Sequence, residues 1–304
     1  MQITSKDVQE VENATRELSR VDEFSLYPTF YIRYYTYRPV SDLLMPHLDI
    51  ISDHDDTQIV PFYGHVMFKL SEGHYCETCF QPLEEPTNHC LDCLKKSGID
   101  FLYCVKKGPG FGTGNCSPEH PCCESEFSQN YCKREHALYL ATFGQNHIKV
   151  GISRLDRVIY RLLEQGASHA ITFRRSNNLN NFIYIHELEQ KIKEECGILD
   201  SLSFDEKAPL FENQKHDFES DILKMNIYSD LFKHLYELIP QYQLNLSNFY
   251  THFPRIDKYC KYIKKLNGNI KYFRGNVAVL EQDGERVAFD LNKLSGKKIL
   301  NVIG

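Results

Sequence analysis

HALYLATFGQNHIKVGIS, residues 136–153, decides how this chain is read. Two apolar runs flank the polar turn Gly144–His147, a pattern that predicts a β-hairpin. Immediately downstream, RLDRVIYRLLEQG (154–166) sets Leu155, Val158, Ile159, Leu162 and Leu163 on one helical face and stops at Gly166. SHAITFRRS (168–176) reads as a third strand, and YIHELEQKIKEECG (184–197) as a second amphipathic helix closed by Gly197. The order is hairpin, helix, strand, helix.

Upstream of the hairpin the cysteines carry the signal. Of eleven, nine fall between Cys76 and Cys132, and only Cys196 and Cys260 lie outside. An odd total without a secretory leader argues against a disulfide scaffold, and in a reducing compartment the clustering reads as metal binding. Cys76, Cys79, Cys90 and Cys93 form a C-x2-C-x10-C-x2-C array, two knuckles that can bring four thiolates onto one tetrahedral zinc. His74 and His89 adjoin the knuckles as bystanders, since four thiolates already close a structural site. A second cluster holds Cys104, Cys116, Cys122, Cys123 and Cys132 with His120 and His136, around the turn-rich GPGFGTGNCSPEHP. Such a segment needs a staple, and the expected ligands are Cys104, Cys116, Cys132 and His136, with Cys122 or Cys123 as substitutes. About two structural zinc ions are therefore expected.

Farther out, residues 3–20 read as a short amphipathic helix through Val8, Val11, Ala14 and Leu18. LYPTFYIRYYTYRPV (26–40) and the segment from Ile50 to Leu70 read as strands. The aromatic row from Tyr31 to Tyr37 is read as sheet core. Residues 200–221 are acidic and read as a linker or solvated loop, 221–240 as a helix, and the rest as a basic helix followed by short strands. The fold class expected is thus α+β and multi-domain. It comprises a β-rich N-terminal module (1–70), a cysteine-rich zinc-binding region (71–136), a hairpin/α/β/α domain (137–200) and a C-terminal helical and small β region (201–304).

The 304 residues are 42% hydrophobic and 25% charged, which excludes wholesale disorder. No apolar run reaches the roughly 20 residues of a membrane span, so no membrane role is expected and the cytoplasm is the expected location. A net charge of -6 excludes a uniformly basic coat, but the local field decides phosphate binding. Two basic groups stand out. Lys149, Arg154, Arg157, Arg161, Arg174 and Arg175 lie in the hairpin domain, and Lys258, Lys261, Lys264, Lys265, Lys271 and Arg274 alternate with Tyr259, Tyr262 and Tyr272. Nucleic acid, DNA or RNA, is the expected partner.

Ala137-Leu138-Tyr139, then Lys149-Val150-Gly151 ahead of an arginine-bearing helix, resembles the GIY-YIG nuclease superfamily. More closely, HALYLA, IKVGISR and RLLEQGA, preceded by Gly114-Asn115-Cys116, Cys132 and His136, are similar to the domain-of-unknown-function 2797 family. That family combines a zinc-bearing N-terminal region with a GIY-YIG-like domain, and the resemblance covers about Cys76 to Ala167. It implies a one-metal phosphodiesterase design, in which a metal and a guanidinium stabilise the charge of a phosphodiester transition state. Carried over by position, Tyr139 is the first tyrosine and Gly151 the glycine of close approach. Arg161 is the helix arginine, with Arg157 and Arg154 as alternatives. Glu189 is the ligand of Mg2+ or Mn2+, with Glu187 as its alternative. Lys149 stands where the second tyrosine is expected, and a lysine there can steer a phosphate or lower the pKa of Tyr139. An endonuclease, a noncatalytic binding module for nucleic acid or ribonucleoprotein, and a zinc-stabilised adaptor for a protein partner all remain open at this point.

Overall fold

A computed structural model of the chain describes residues 30–40, 43–52, 57–84, 89–90, 92–93, 125–177, 179–199, 201–212, 218–250 and 253–301. The helix expected over 3–20, and Cys104, Cys116, His120, Cys122 and Cys123, lie outside those residues.

In chain order the first strands are β1 (Phe30–Val40), β2 (Leu43–Ser52), β3 (Thr57–Pro61), β4 (Gly64–Leu70), β5 (His74–Tyr75) and β6 (Pro82–Leu83). Then come α1 (Glu126–Lys133), β7 (His136–Thr142), β8 (Ile148–Arg154), α2 (Val158–Gln165), β9 (His169–Arg175) and α3 (Phe182–Cys196). The remainder is α4 (Phe204–Glu212), α5 (Phe218–Tyr236), β10 (Leu238–Asn245), β11 (Lys258–Cys260), β12 (Lys265–Arg274), β13 (Val277–Gln282), β14 (Glu285–Asp290) and β15 (Lys297–Asn301). The chain forms two compact units, the first from residues 1–90, 204–214 and 249–304, the second from 91–203 and 215–248.

In the first unit a nine-stranded sheet runs β11-β14-β13-β12-β4-β15-β1-β2-β3, antiparallel except for the β11–β14 pair. Its pairings join distant sequence: Leu266 faces Phe68, and Ile32 faces Lys297. Alternate residues turn inward to one core of Ile32, Leu48, Phe62, Leu70, Leu266, Ile270, Phe289 and Leu291. Each such side chain contributes about 1.5–3 kcal/mol on burial. The Tyr37 hydroxyl donates to the Gly275 carbonyl at 2.6 Å, joining β1 to the β12–β13 turn across this core. Tyr31 and Tyr37 are buried, as the sheet-core reading requires, whereas Tyr34 is exposed.

Two expectations fail here for identifiable reasons. The acidic 200–221 stretch is not a linker. It contains α4, whose Ala208, Leu210 and Phe211 are buried, while Asp205 and Glu206 sit exposed in its first turn, where negative charge suits the helix dipole. Lys207 Nζ donates to Asn276 Oδ1 at 3.0 Å, and Asn276 Nδ2 to Asp290 Oδ1 at 2.7 Å. Nor is there a basic helix near residue 260: Lys258–Cys260 is a strand parallel to β14, and Lys265 opens β12. Lysines at three-residue spacing suggested a helix, but strand pairing decided the backbone.

In the second unit a four-stranded antiparallel sheet runs β10-β9-β7-β8, with β7 buried along its whole length. Ile185, Leu188 and Ile192 of α3 and Met225, Phe232 and Tyr236 of α5 pack with Leu138, Leu140, Val150 and Phe173 of the strands. Local signals fix the ends. Asn181 Oδ1 caps α3 by accepting from the Tyr184 N–H at 3.2 Å, and Gly166 and Gly197, both at positive φ, stop α2 and α3. Of the face expected for α2, Val158, Leu162 and Leu163 are buried, but Ile159 is exposed and Leu155 lies in a 3-10 turn before the helix.

The hairpin turn needs help, because Gly144, Gln145 and Asn146 all have positive φ. Asp221 supplies it from α5. Fully buried, its carboxylate accepts from Thr142 Oγ1 at 2.9 Å and from the Asn146 N–H at 2.6 Å. Asp221→Ala should destabilise the second unit by about 3 kcal/mol, since it leaves two donors of charge-assisted bonds unpaired. Faster amide exchange in β7 and β8 would report it, and an effect below about 1 kcal/mol would contradict this role for Asp221.

Candidate functional site

The hairpin β5–β6, where His74 faces Leu83, presents the first cysteine knuckle. The Cys76 N–H donates to Gln81 O at 2.9 Å and the Phe80 N–H to Cys76 O at 3.0 Å, closing a tight turn with Phe80 at φ 58°. Phe80 stacks on Tyr31 at 4.6 Å, and Lys297 Nζ donates to the carbonyls of Glu72 and Gly73, so β1 and β15 hold the ribbon.

The Sγ atoms of Cys76, Cys79, Cys90 and Cys93 all lie within 4.8 Å of one another, and those of Cys79 and Cys90 are 3.7 Å apart. Four thiolates at about 2.3 Å from a zinc stand about 3.8 Å apart along a tetrahedral edge. Burial pushes the Cys76 thiol up, but hydrogen bonds from the backbone at Cys90, Cys79 and Thr78 outweigh it and bring it down to about 7. Those amides favour the thiolate that a metal needs. The histidines stand aside: His89 Nδ1 is 3.2 Å from Thr78 Oγ1 and its Nε2 is 3.7 Å from Glu77 Oε2, while His74 Nδ1 bonds Ser295 O. The four cysteines can hold a metal ion such as zinc, in a set that leaves no position for a reacting water.

Of the second expected ligand set, Cys132 and His136 are described. Both are buried, Cys132 in a small core with Phe182 and Ile183, and His136 between the rings of Tyr131 and Phe182. His136 Nδ1 lies 2.9 Å from Arg134 O, which makes Nδ1 the donor. Its Nε2 then carries a lone pair and has no hydrogen-bond partner among the described residues. Burial lowers the imidazole to about 4, keeping it neutral at neutral pH. A neutral ring steered by a carbonyl is the form in which histidine binds metals.

Tyr139, on β7, faces Gly151 of β8 on one side and Thr172 of β9 on the other. Its ring lies over Gly151, where a Cβ would come within 2.5 Å of the Tyr139 hydroxyl oxygen. The glycine therefore serves the tyrosine's position rather than a substrate's approach. The Gln165 amide covers the hydroxyl, Nε2 at 3.0 Å and Oε1 at 3.2 Å, and Tyr139 is only 1% exposed. Burial raises its pKa, the Arg161 charge and the Gln165 hydrogen bond oppose the rise, and the Glu189 charge adds to it. Arg161 and Glu189 thus both act on the Tyr139 hydroxyl, which stays protonated at neutral pH.

Arg157 Nη2 lies 2.8 Å from Glu164 Oε1 and Arg161 Nη1 lies 3.7 Å from Glu164 Oε2. Two half-exposed guanidiniums share one buried carboxylate, which leaves the helix face with a surplus positive charge. Glu189 is buried on α3, 3.6 Å from Lys193 Nζ, while Glu187 is exposed. Lys149 is half-buried beside Ala141, two residues from Gly151 and hence on the same sheet face. The pairing of Glu164 with Arg157 and Arg161 follows from their spacing on one helix, but Gln165 was missed as a site residue. Its signal was a polar side chain ending a helix beside the capping glycine Gly166.

The remaining expected phosphate contacts divide between the units. In the second, Arg154 pairs with Asp156 at 3.2 Å, Arg174 pairs with Glu135, and the Arg175 N–H donates to Asn180 Oδ1 at 2.8 Å. In the first, Lys261 pairs with Asp205 at 3.6 Å, Lys264 with Glu72 at 2.6 Å and Lys271 with Glu281 at 3.0 Å. Arg274 stacks over Phe211 at 4.2 Å and is itself largely enclosed. Lys258 and Lys265 are exposed and form no ion pair among the described residues.

Against known proteins, the family described as "Protein of unknown function (DUF2797)" matches residues 65–267, two thirds of the chain. No curated protein and no solved structure gives a match. No described helix is long and apolar enough to cross a membrane.

Two outcomes follow from this geometry. Cys79→Ser and Cys93→Ser should each lower bound metal by about one equivalent in elemental analysis, and acidification from about pH 7 to pH 5 should release the same equivalent by protonating the thiolates. An unchanged metal content would contradict the four-thiolate reading. Gly151→Ala should destabilise the second unit by about 2 kcal/mol or more, because its methyl group meets the Tyr139 ring, and Tyr139→Leu should recover part of the loss. Equal destabilisation in the single and double variants would contradict the contact.

Proposed function

The chain belongs to the DUF2797 family, and from its own geometry we propose that it is a zinc-containing, nucleic-acid-binding protein whose second unit receives a phosphodiester backbone. The observation that carries the reading is the helix α2, which meets the Tyr139 hydroxyl through Gln165 and whose Arg157 and Arg161 share the one carboxylate of Glu164. A guanidinium that shares its carboxylate keeps donors for phosphate, and its planar fork matches two phosphate oxygens. The element order supports the likeness to the GIY-YIG superfamily: β7 lies between β8 and β9, with α2 after the hairpin and α3 after β9.

In this reading zinc sits at Cys76, Cys79, Cys90 and Cys93 as a structural staple, and a second zinc takes Cys132 and His136 with Cys104 and Cys116. Reduced thiols of this kind suit the cytoplasm. The surface cations contribute unequally. Arg157 and Arg161 lead, with Arg154, Arg174, Arg175, Lys258, Lys261 and Lys265 as secondary contacts.

The family pattern of Tyr139, Lys149, Arg161 and Glu189 also carries a second reading, a metal-dependent endonuclease with Glu189 holding Mg2+ or Mn2+ and Lys149 steering a phosphate. Glu189 would place the ion, which would supply charge stabilisation at the phosphorus. Tyr139 must then be uncovered, because Gln165 now occupies its hydroxyl. Binding without cleavage makes no such demand, and for that reason it stands first.

Fluorescence anisotropy with single-stranded and duplex DNA and RNA tests both readings. Binding should weaken with salt, and Arg161→Ala should lower affinity and reduce the slope of log K against log salt by about 1. No binding to any probe at low salt would overturn the proposal. Manganese-dependent cleavage lost in Glu189→Ala, with binding kept, would promote the second reading.

A further inference from the structure

Lys265 and Lys69 face each other directly across the β12–β4 pair, and both are exposed. They lie on the sheet face opposite the core, because it is their neighbours Leu266 and Leu70 that turn inward. Lys298 of β15 shares that outer face. Ile299 beside it packs on the core, and the Ser71 N–H donates to the Lys298 carbonyl at 2.9 Å. Three adjacent strands thus gather lysines from positions 69, 265 and 298. None of the three forms an ion pair among the described residues.

This arrangement costs stability in the free chain. Like charges directly opposite on a sheet repel, since their Cβ atoms stand about 4.5–5.5 Å apart. The acids nearby are already taken. A hydrogen bond and charge from Lys264, then the charges of Lys297 and Lys69, hold the Glu72 carboxyl below its usual range, and Lys264 Nζ contacts it at 2.6 Å. Glu281 on β13 is shared between Lys271 at 3.0 Å and Arg286 at 3.1 Å.

The rest of the face narrows the class of anion. Along β4 and β12 from the lysines, the next cross-strand rows are Met67 with Asn267 and His65 with Asn269. No carboxylate stands in these rows, and their amides and imidazole offer donors and acceptors to base edges. A lipid surface is held by basic residues beside apolar side chains that insert, and half-buried Met67 is the single apolar side chain of the two rows.

We propose that the outer face of β12, β4 and β15 is a second phosphate-binding surface for a nucleic-acid strand. Lys69, Lys265 and Lys298 take the backbone, and Asn267 and Asn269 lie toward the bases. The proposal rests on the nucleic-acid reading for the class of ligand, but on none of the residues about Tyr139. The like-charge pair marks a place kept for a ligand, because its repulsion is relieved when phosphate arrives.

The β4 and β12 amides are already bonded within the sheet, so occupancy here is read from affinity and salt dependence rather than from amide exchange. In fluorescence anisotropy with one duplex oligonucleotide, Lys69→Gln with Lys265→Gln should lower affinity about 10-fold or more. It should also reduce the slope of log K against log salt by about 1.5–2, whereas Lys69→Arg with Lys265→Arg should keep both. Lys265→Glu should lower affinity yet raise the melting temperature, because it sets opposite charges across the strands. Binding lost in the glutamine pair but unchanged in Arg161→Ala would uphold this surface and overturn the second-unit site. Binding weakened by Arg161→Ala but untouched by the glutamine pair would overturn this inference alone. It would also be overturned if the glutamine pair lost binding only to vesicles of phosphatidylserine and phosphatidylcholine.

Discussion

The second unit can carry its tyrosine only because residue 151 has no side chain. Tyr139 and Gly151 face each other across the hairpin, and any Cβ at 151 would overlap the phenol. With the glycine in place the ring lies flat against the sheet and its hydroxyl reaches the end of α2, where Gln165 meets it. That single position then brings the tyrosine within the fields of Arg161, one turn back on α2, and Glu189 on α3. In the proposed function this site draws a phosphate through the guanidinium surplus of α2, and a carboxylate such as Glu189 would face that phosphate only across a cation. Whether it also reacts depends on Gln165, whose amide holds the hydroxyl that a substrate would need.

The first unit rests on a different constraint. Its sheet is assembled from strands far apart in sequence, and neither half of the chain could bury its apolar face alone. The cysteine ribbon projects from this sheet and is tied to it by the Phe80–Tyr31 stack and by Lys297. Amides turned toward Cys76 prepare the site for a cation before one arrives. A metal there would cross-link the ribbon's two knuckles, and a short ribbon with two-residue strands has little other means of holding shape.

Local signals were legible in the sequence, and long-range ones were not. Period-two apolar runs, a polar turn and terminal glycines placed β7, β8, α2, β9 and α3 with small errors at their ends. Ligand spacing alone found the four gathered thiols. By contrast, the β4–β12 and β1–β15 pairs join residues some two hundred or more positions apart, and no local pattern announces them. Acidic composition hid α4 because its charges point outward, and lysines at helical spacing disguised β11. At the site, Tyr139, Arg161 and Glu189 were legible through a family resemblance. Gln165 was not, since only the folded helix sets its amide on the phenol, whereas the pairing of Glu164 with Arg157 and Arg161 follows from helical spacing.

Hydrogen–deuterium exchange of the chain with and without a short oligonucleotide tests most directly whether the Tyr139 cluster receives phosphate. Slower exchange confined to α2 and the adjoining end of β8, residues 151–165, is the expected result. Protection found only in the first unit, or none at an oligonucleotide concentration that saturates binding, would contradict it.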